Sequence, residues 1–170
     1  MMNFINKQID AVIYGFVGPF AFAYIFPMFF KNLEIQSNFN LSEIPYLKYF
    51  GIFFLNLGGI LALWSTIIMY KSKKASPSPF SLPKKVISTG PFNFVRHPMM
   101  WALHFVIIGQ ALVNNSPFII IWFLIWLRFS ILYIDRYEEP YLISIFGEEY
   151  VQYCKKTPRW IPNFFKKNND

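Results

Sequence analysis

Two short stretches of this chain carry the residue types from which chemistry is built. Arg96-His97-Pro98 sets a guanidinium, an imidazole and a proline in succession, and Arg136-Tyr137-Glu138-Glu139 sets two carboxylates side by side. An arginine at the end of an apolar helix ordinarily snorkels to the membrane surface. Adjacent acids at a helix start are ordinarily solvated or stabilised by the helix dipole. Both stretches adjoin long apolar runs, however, where an ionisable group is costly unless it is paired or faces a cavity. Pro98 biases His97 toward an extended backbone and so fixes its direction. Brought to one end of a helical bundle, Arg96, His97, Glu138 and Glu139 would present cation, imidazole and anion together. Such a cluster suits a zwitterionic ligand.

Other chemistries find no basis. Cys154 is the only cysteine, which excludes an internal disulfide and a Cys-rich metal site; it reads as incidental. His97 and His104 are seven residues apart, nearly on one helical face but about 10 Å apart along the axis. That is too far to share one metal ion, so no metal site is expected. The formal net charge of +7 is concentrated in Lys71–Arg96 and Arg128–Lys167. These blocks flank apolar runs, which points to anionic lipid headgroups and away from nucleic acid.

What must position these residues is a membrane bundle. The 170 residues suffice for about one domain. They are 55% hydrophobic, 21% aromatic and 15% charged, whereas soluble domains are about 45–50% apolar and about 25% charged. Four apolar segments stand out: 11–30, 49–70, 98–113 and 116–134. A helix needs roughly 20 apolar residues to cross about 30 Å of hydrocarbon. The first two segments meet that easily, and the fourth does so with Arg128 as its one charge. The third is short; it needs a tilt completed by Phe92–Val95, or burial among the others. Pro19 and Pro27 predict kinks in the first segment, with neighbouring groups satisfying the freed carbonyls. Asn114-Asn115-Ser116-Pro117 supplies an N-cap at Ser116 and a first-turn proline, which makes the third and fourth segments an antiparallel hairpin.

The intervening stretches read as follows. Ser72–Leu82, with its Ser-Pro-Ser-Pro run, is an irregular linker, and Val86–Pro91 is a turn returning to the membrane. Leu142, Ile145, Phe146, Tyr150 and Tyr153 predict one helix over 138–153, weakened but not forbidden by Gly147. Pro140 cannot donate to the carbonyl of Arg136, so a helix running on from the fourth segment kinks there. The expected fold is therefore all-α: a polytopic transmembrane helical bundle of about four spans plus a C-terminal cytoplasmic helix. It forms a single membrane domain over 1–170 without internal repeats. Asp10 leads directly into an apolar run that lacks the pattern of a signal peptide. Lysines and arginines crowd the 71–97 loop and the tail after 134, while the 114–117 turn has none. That bias places the loop, the tail and both termini in the cytoplasm.

The run Gly90-Pro91-Phe92-x-x-Val95-Arg96-His97-Pro98 resembles the Arg-His-Pro-x-Tyr motif of isoprenylcysteine carboxyl methyltransferases and related phospholipid methyltransferases. Farther on, Glu138-Glu139, Leu142, Phe146-Gly147-Glu148-Glu149-Tyr150, Tyr153, Pro158 and Pro162 resemble that family's closing segment, so that the resemblance covers 84–162. It implies S-adenosylmethionine as cofactor, in a cytoplasmic pocket formed by the turn before the third segment and the tail helix. Lys84, Lys85, Val86 and Ile87 would line the pocket through backbone groups. Phe92, His97, Pro98, Met99 and Met100 would touch the cofactor, and Glu138 would hold a polar end of it. Arg96, Arg136 and Glu139 are the catalytic candidates, with Glu139 or His97 as base should the acceptor be an amine. The resemblance further implies a hydrophobic or lipid-linked substrate entering from the bilayer.

Three positions depart from the family pattern. Met100 stands where the family usually has Tyr. Ile134 stands where the isoprenylcysteine enzymes carry a substrate-gripping Arg, a role for which Arg136 or Arg128 is the replacement. Pro140 is also unusual. Two other readings follow: an NADPH-dependent membrane reductase related to sterol reductases, for which Lys84 and Lys85 suit a phosphate but no Gly-rich loop is present, and a non-catalytic membrane subunit with a decayed site.

Overall fold

The computed structural model describes residues 21–39, 44–73 and 85–162, and among these it is helical without strands. The first half of the first apolar segment with Pro19, most of the Ser72–Leu82 linker, and Lys84 lie outside the described residues. The chain divides into two compact units. One comprises the described residues up to Ile60 together with Ala102–Phe129. The other comprises Leu61–Trp101 and the chain from Ser130 onward.

In the first unit, a π-helical turn over Ala21–Ile25 leads into α1, Phe26–Gln36. Pro27 explains the wide turn. It has no N–H for the carbonyl of Ala23 four residues back, nor for that of Phe22 in the wider register. Side chains of the hairpin serve both carbonyls instead. Gln110 Nε2 donates to Ala23 O at 2.6 Å, and Trp122 Nε1 donates to Phe22 O at 3.1 Å. The helix then continues past the expected end of the segment at Phe30. This takes Lys31 and the buried Glu34 into it, where they form an ion pair. Glu34 also accepts from the Ser116 hydroxyl, and Lys31 Nζ donates to Asn114 O at 3.3 Å. The end of α1 is thus tied to the hairpin turn.

Helix α2 runs over Pro45–Lys73, longer at both ends than its apolar core. Helices α3, Pro98–Val113, and α4, Pro117–Tyr133, are joined by the short turn that the sequence marks. Ser116 Oγ accepts from the Ile119 N–H at 3.3 Å, and Asn115 takes a positive φ of 45°. Against α3, α2 packs closely through small residues. A Cβ on Gly51 would lie 2.7 Å from Gly109 O, and one on Gly58 would lie 2.8 Å from Ala102 O. The pairing of 51 with 109 and 58 with 102 makes the two helices antiparallel, with the backbone approach that small residues permit. Ile107, Ile119, Trp122 and Trp126 form the core, and Phe22 stacks on Trp126 with ring centroids 4.2 Å apart.

Two helices are long and apolar enough to cross a membrane, Pro45–Ser72 and Pro117–Phe146; Pro98–Val113 is apolar but shorter. Most residues of both long helices are not fully buried, unlike those of a core helix in a water-soluble domain.

In the second unit, α4 does not stop at Ile134. A π-helical turn over Ile134–Glu138, closed by the Glu139 N–H on Ile134 O, carries it into α5, Glu139–Phe146. Pro140 is again the cause: its ring would clash with an α-helical carbonyl four residues back, and one wide turn relieves the clash. The single helix expected over 138–153 is instead two, α5 and α6, Glu148–Lys156. Between them Gly147 adopts φ 56° and ψ −132°. Only glycine enters that region without strain, and this breaks the helix that side-chain periodicity alone would continue. A 3-10 turn, Gly90–Asn93, precedes α3. Gly90 has φ +60°, and a Cβ there would meet Ile68 Cγ1 at 2.9 Å.

Candidate active site

The residues that introduce α3 and the residues that follow α4 meet in the second unit. Arg96 is anchored through its backbone, whose N–H donates to Pro158 O at 3.0 Å. Pro98 opens α3 and is fully buried, which leaves His97 as the last non-helical residue, only 5% exposed. His97 has a carboxylate on each ring nitrogen. Nε2 lies 3.2 Å from Glu139 Oε1, and Nδ1 lies 3.4 Å from Glu138 Oε1. Only the imidazolium has an N–H for both.

Glu139 is the centre of the cluster. It is 7% exposed. Its Oε1 accepts from Arg96 Nη1 at 2.7 Å and from Arg159 Nε at 3.1 Å, and its Oε2 accepts from Arg159 Nη2. Arg159 Nη1 also pairs with Asp135. Arg96 Nη1 further donates to Cys154 Sγ at 3.0 Å. Around this core, Trp101 Nε1 donates to Trp160 O at 2.9 Å. The Trp160 ring lies 6.4 Å from the His97 ring. Tyr153 OH donates to Phe92 O at 2.6 Å, and the Val86 N–H donates to Glu149 Oε1 at 3.2 Å. These last two bonds fix the 86–92 stretch against α6.

Protonation follows from the packing. Burial alone would lower the His97 pKa, but hydrogen bonds and charge from Glu138 and Glu139 outweigh it and leave it above its usual value. Burial alone would raise the Glu139 carboxyl. Hydrogen bonds from His97 and Arg159, with the charges of Arg96 and Arg159, hold it down at about 2. The Glu139 hydrogen bond raises Arg159 further, against a smaller effect of burial. Burial pushes the Tyr150 and Tyr153 hydroxyls up. Within the cluster, two buried polar atoms have no hydrogen-bond partner among the described residues, Arg96 Nε and Glu138 Oε2. One is a donor on a cation and the other an acceptor on an anion.

Of the residues singled out in the sequence, Arg96, His97, Glu138 and Glu139 come together. Pro98 is buried beside them, while Val86, Ile87, Phe92 and Met100 are half-buried. Lys85, Met99, Arg128 and Arg136 are exposed, and Lys85, Met99 and Arg136 are not among the hydrogen-bond and ion-pair partners of the cluster described above. Ile134, at the position of interest for an arginine, is completely buried. Arg159, Asp135, Trp101, Trp160 and Cys154 joined the cluster without being foreseen. For Arg159 a signal existed: it lies between Pro158 and Trp160 in the segment whose prolines already carried the resemblance.

The fold and cluster define an all-helical protein with apolar helices of membrane-crossing length and an ion-paired polar site at one end of α3. A family model described as phospholipid methyltransferase matches residues 47–149, more than half of the chain. The chain belongs to that family. Among curated proteins it is 35% identical over 82 residues to a protein-S-isoprenylcysteine O-methyltransferase of Schizosaccharomyces pombe, covering 45% of this chain and 33% of the relative. It is also 35% identical over 81 residues to the Saccharomyces cerevisiae protein of the same description, covering 45% and 32% respectively. The chain therefore spans about a third of the length of these relatives. No solved structure matches it.

Proposed function

We infer that the chain is a membrane methyltransferase that uses S-adenosylmethionine and acts on a lipid-like or otherwise hydrophobic acceptor. The observation that carries this reading is the pair of buried, unpartnered atoms, Arg96 Nε and Glu138 Oε2. A zwitterionic amino-acid end supplies the complement to both, a carboxylate for the guanidinium and an ammonium for the carboxylate. The residues thus fit the cofactor, and family membership supports the same reading.

When bound, the cofactor supplies an electrophilic methyl group on a sulfonium. The protein's task is then alignment and exclusion of water. Glu138 holds the ammonium and Arg96 the carboxylate. Glu139, saturated by two arginines and the imidazolium, is a poor base at its depressed pKa. It serves instead to keep Arg96 and His97 in place. Pro98 and Met100 form the apolar wall, and Trp101 and Trp160 shield the cluster from solvent. Because each His97 ring nitrogen faces a carboxylate, the imidazole directs no free lone pair at an acceptor. The arrangement therefore favours an acceptor that arrives already anionic, such as a carboxylate, over an ammonium that must first lose a proton. The acceptor enters from the bilayer, and the site faces the cytoplasm, where the basic loops lie.

Calorimetric titration of the purified protein with S-adenosylmethionine tests this reading. The parent should bind, and Glu138→Ala and His97→Ala should each bind at least tenfold more weakly. Absence of binding by the parent, or equal binding by all three, counts against it.

A further inference from the structure

The outward face of α2 carries one residue that lipid does not explain. The helix spans Pro45–Lys73, and its inward stripe, Gly51, Gly58 and Ser65, is buried. On the opposite face, Phe53, Asn56, Ile60, Leu63, Ile67 and Tyr70 alternate at spacings of four and three, and the apolar members are each at least half exposed. Apolarity does not single out this face, since nearly every position of the segment is apolar. Asn56 does. It is exposed and lies only about 4.5 Å along the axis from the helix midpoint, where the hydrocarbon is deepest. Its Nδ2 donates to Ile52 O at 2.8 Å, a carbonyl of its own helix. The Oδ1 and the second N–H have no partner among the described residues, and acyl chains offer none.

A carboxamide is its own complement, because it carries a donor and an acceptor on one group. Two copies related by a two-fold axis place Asn56 opposite Asn56, and each satisfies the other. A single asparagine within an apolar seam of 3.5-residue period is also the device by which helices select register and partner number. We propose that the Asn56 face of α2 is a contact between two copies of this chain in the membrane, with paired Asn56 carboxamides at the centre. This contact is independent of methyl transfer, since Asn56 belongs to neither the cluster nor its supports.

The test uses the full chain with Cys154→Ser, reconstituted in bilayers and exposed to a mild oxidant. Leu63→Cys and Ile67→Cys lie on the seam and should give disulfide-linked dimers. Met69→Cys is half-buried and sits about 120° round the helix from Leu63 and about 160° from Ile67, and it should remain monomeric. Adding Asn56→Leu to Leu63→Cys should weaken self-association by about threefold to thirtyfold, and Asn56→Gln should restore part of it. Cross-linking at all three positions alike, at Met69 alone, at none, or unaltered by Asn56→Leu would overturn the proposal. Retained binding of S-adenosylmethionine by Asn56→Leu distinguishes a lost contact from a misfolded chain.

Discussion

At the scale of single residues, the centre of the site is one carboxylate shared among three cationic groups. Glu139→Gln removes the anion and leaves Arg96, His97 and Arg159 facing each other. Breaking a buried pair in this way costs on the order of 3–5 kcal/mol, to be read as a lowered thermal midpoint in detergent. Arg159→Ala removes a partner that is 31% exposed, and solvent screens its contribution, so the loss should be about 1 kcal/mol or less. An equal effect of the two substitutions would remove Glu139 from the centre. The same pairs set a pH dependence. His97 is raised above 6.5, so its contribution is complete below 6.5 and is lost as pH climbs through the folded-state value. Glu139 is lowered from 4.5 to about 2, so its contribution is complete above 4.5 and is lost as pH falls toward 2. Stability should therefore be greatest between 4.5 and 6.5. His97→Gln should flatten the alkaline limb and spare part of the acid limb; an unchanged alkaline limb would show that His97 is not the group responsible.

Elements were legible where local chemistry decides them. Helix α3 begins at Pro98 and ends at Val113 as its apolar run does, because a proline and an asparagine turn punctuate it. The proline-freed carbonyls of the first segment were foreseen as needing neighbours; that Gln110 and Trp122 would supply them was not, since their pairing spans 87 and 100 residues of sequence. Gly147 shows the opposite limit. Periodicity carries the apolar face straight through it, and only the backbone angle reveals the corner between α5 and α6. In the cluster, Arg96, His97, Glu138 and Glu139 were readable from type and neighbourhood. Arg159 was not, because a tail turn brings it back onto a helix it does not adjoin in sequence, and Arg136 is carried to the exposed side by its place in the π turn. Close packing gives this scale its prediction. Gly58→Val drives a side chain into the backbone of α3, where a Cβ already meets Ala102 O at 2.8 Å, and should destabilise the protein by about 1–3 kcal/mol. Gly59→Ala, with nothing within 4 Å of its Cβ, should not destabilise it. Thermal midpoints of the two variants in one detergent decide whether the α2–α3 approach is as close as it stands here.

For the whole molecule, the question is which side of the membrane each helix end occupies. Helix α3 has 16 residues, about 24 Å at 1.5 Å per residue, which is short of a full hydrocarbon core. Two arrangements are compatible with that length. In one, α3 and α4 cross, and the 114–117 turn emerges on the far side of the membrane. In the other, the hairpin is re-entrant, and its turn stops short of the far side. The chemistry at the turn favours crossing. Lys31, Glu34 and Ser116 form a charged, hydrogen-bonded group with Asn114, a set that belongs at a wetted headgroup boundary and not in mid-bilayer. The charge bias agrees, since lysines and arginines crowd the 71–97 loop and the tail but are absent from the turn. In sealed vesicles of known orientation, with Cys154→Ser as background, Lys73→Cys and Lys156→Cys should react with a membrane-impermeant maleimide from the cytoplasmic side. Asn114→Cys and Tyr46→Cys should react from the other side. Labelling of Asn114→Cys from the cytoplasmic side would make the hairpin re-entrant and leave α2 as a crossing helix without α3 and α4 beside it as full spans.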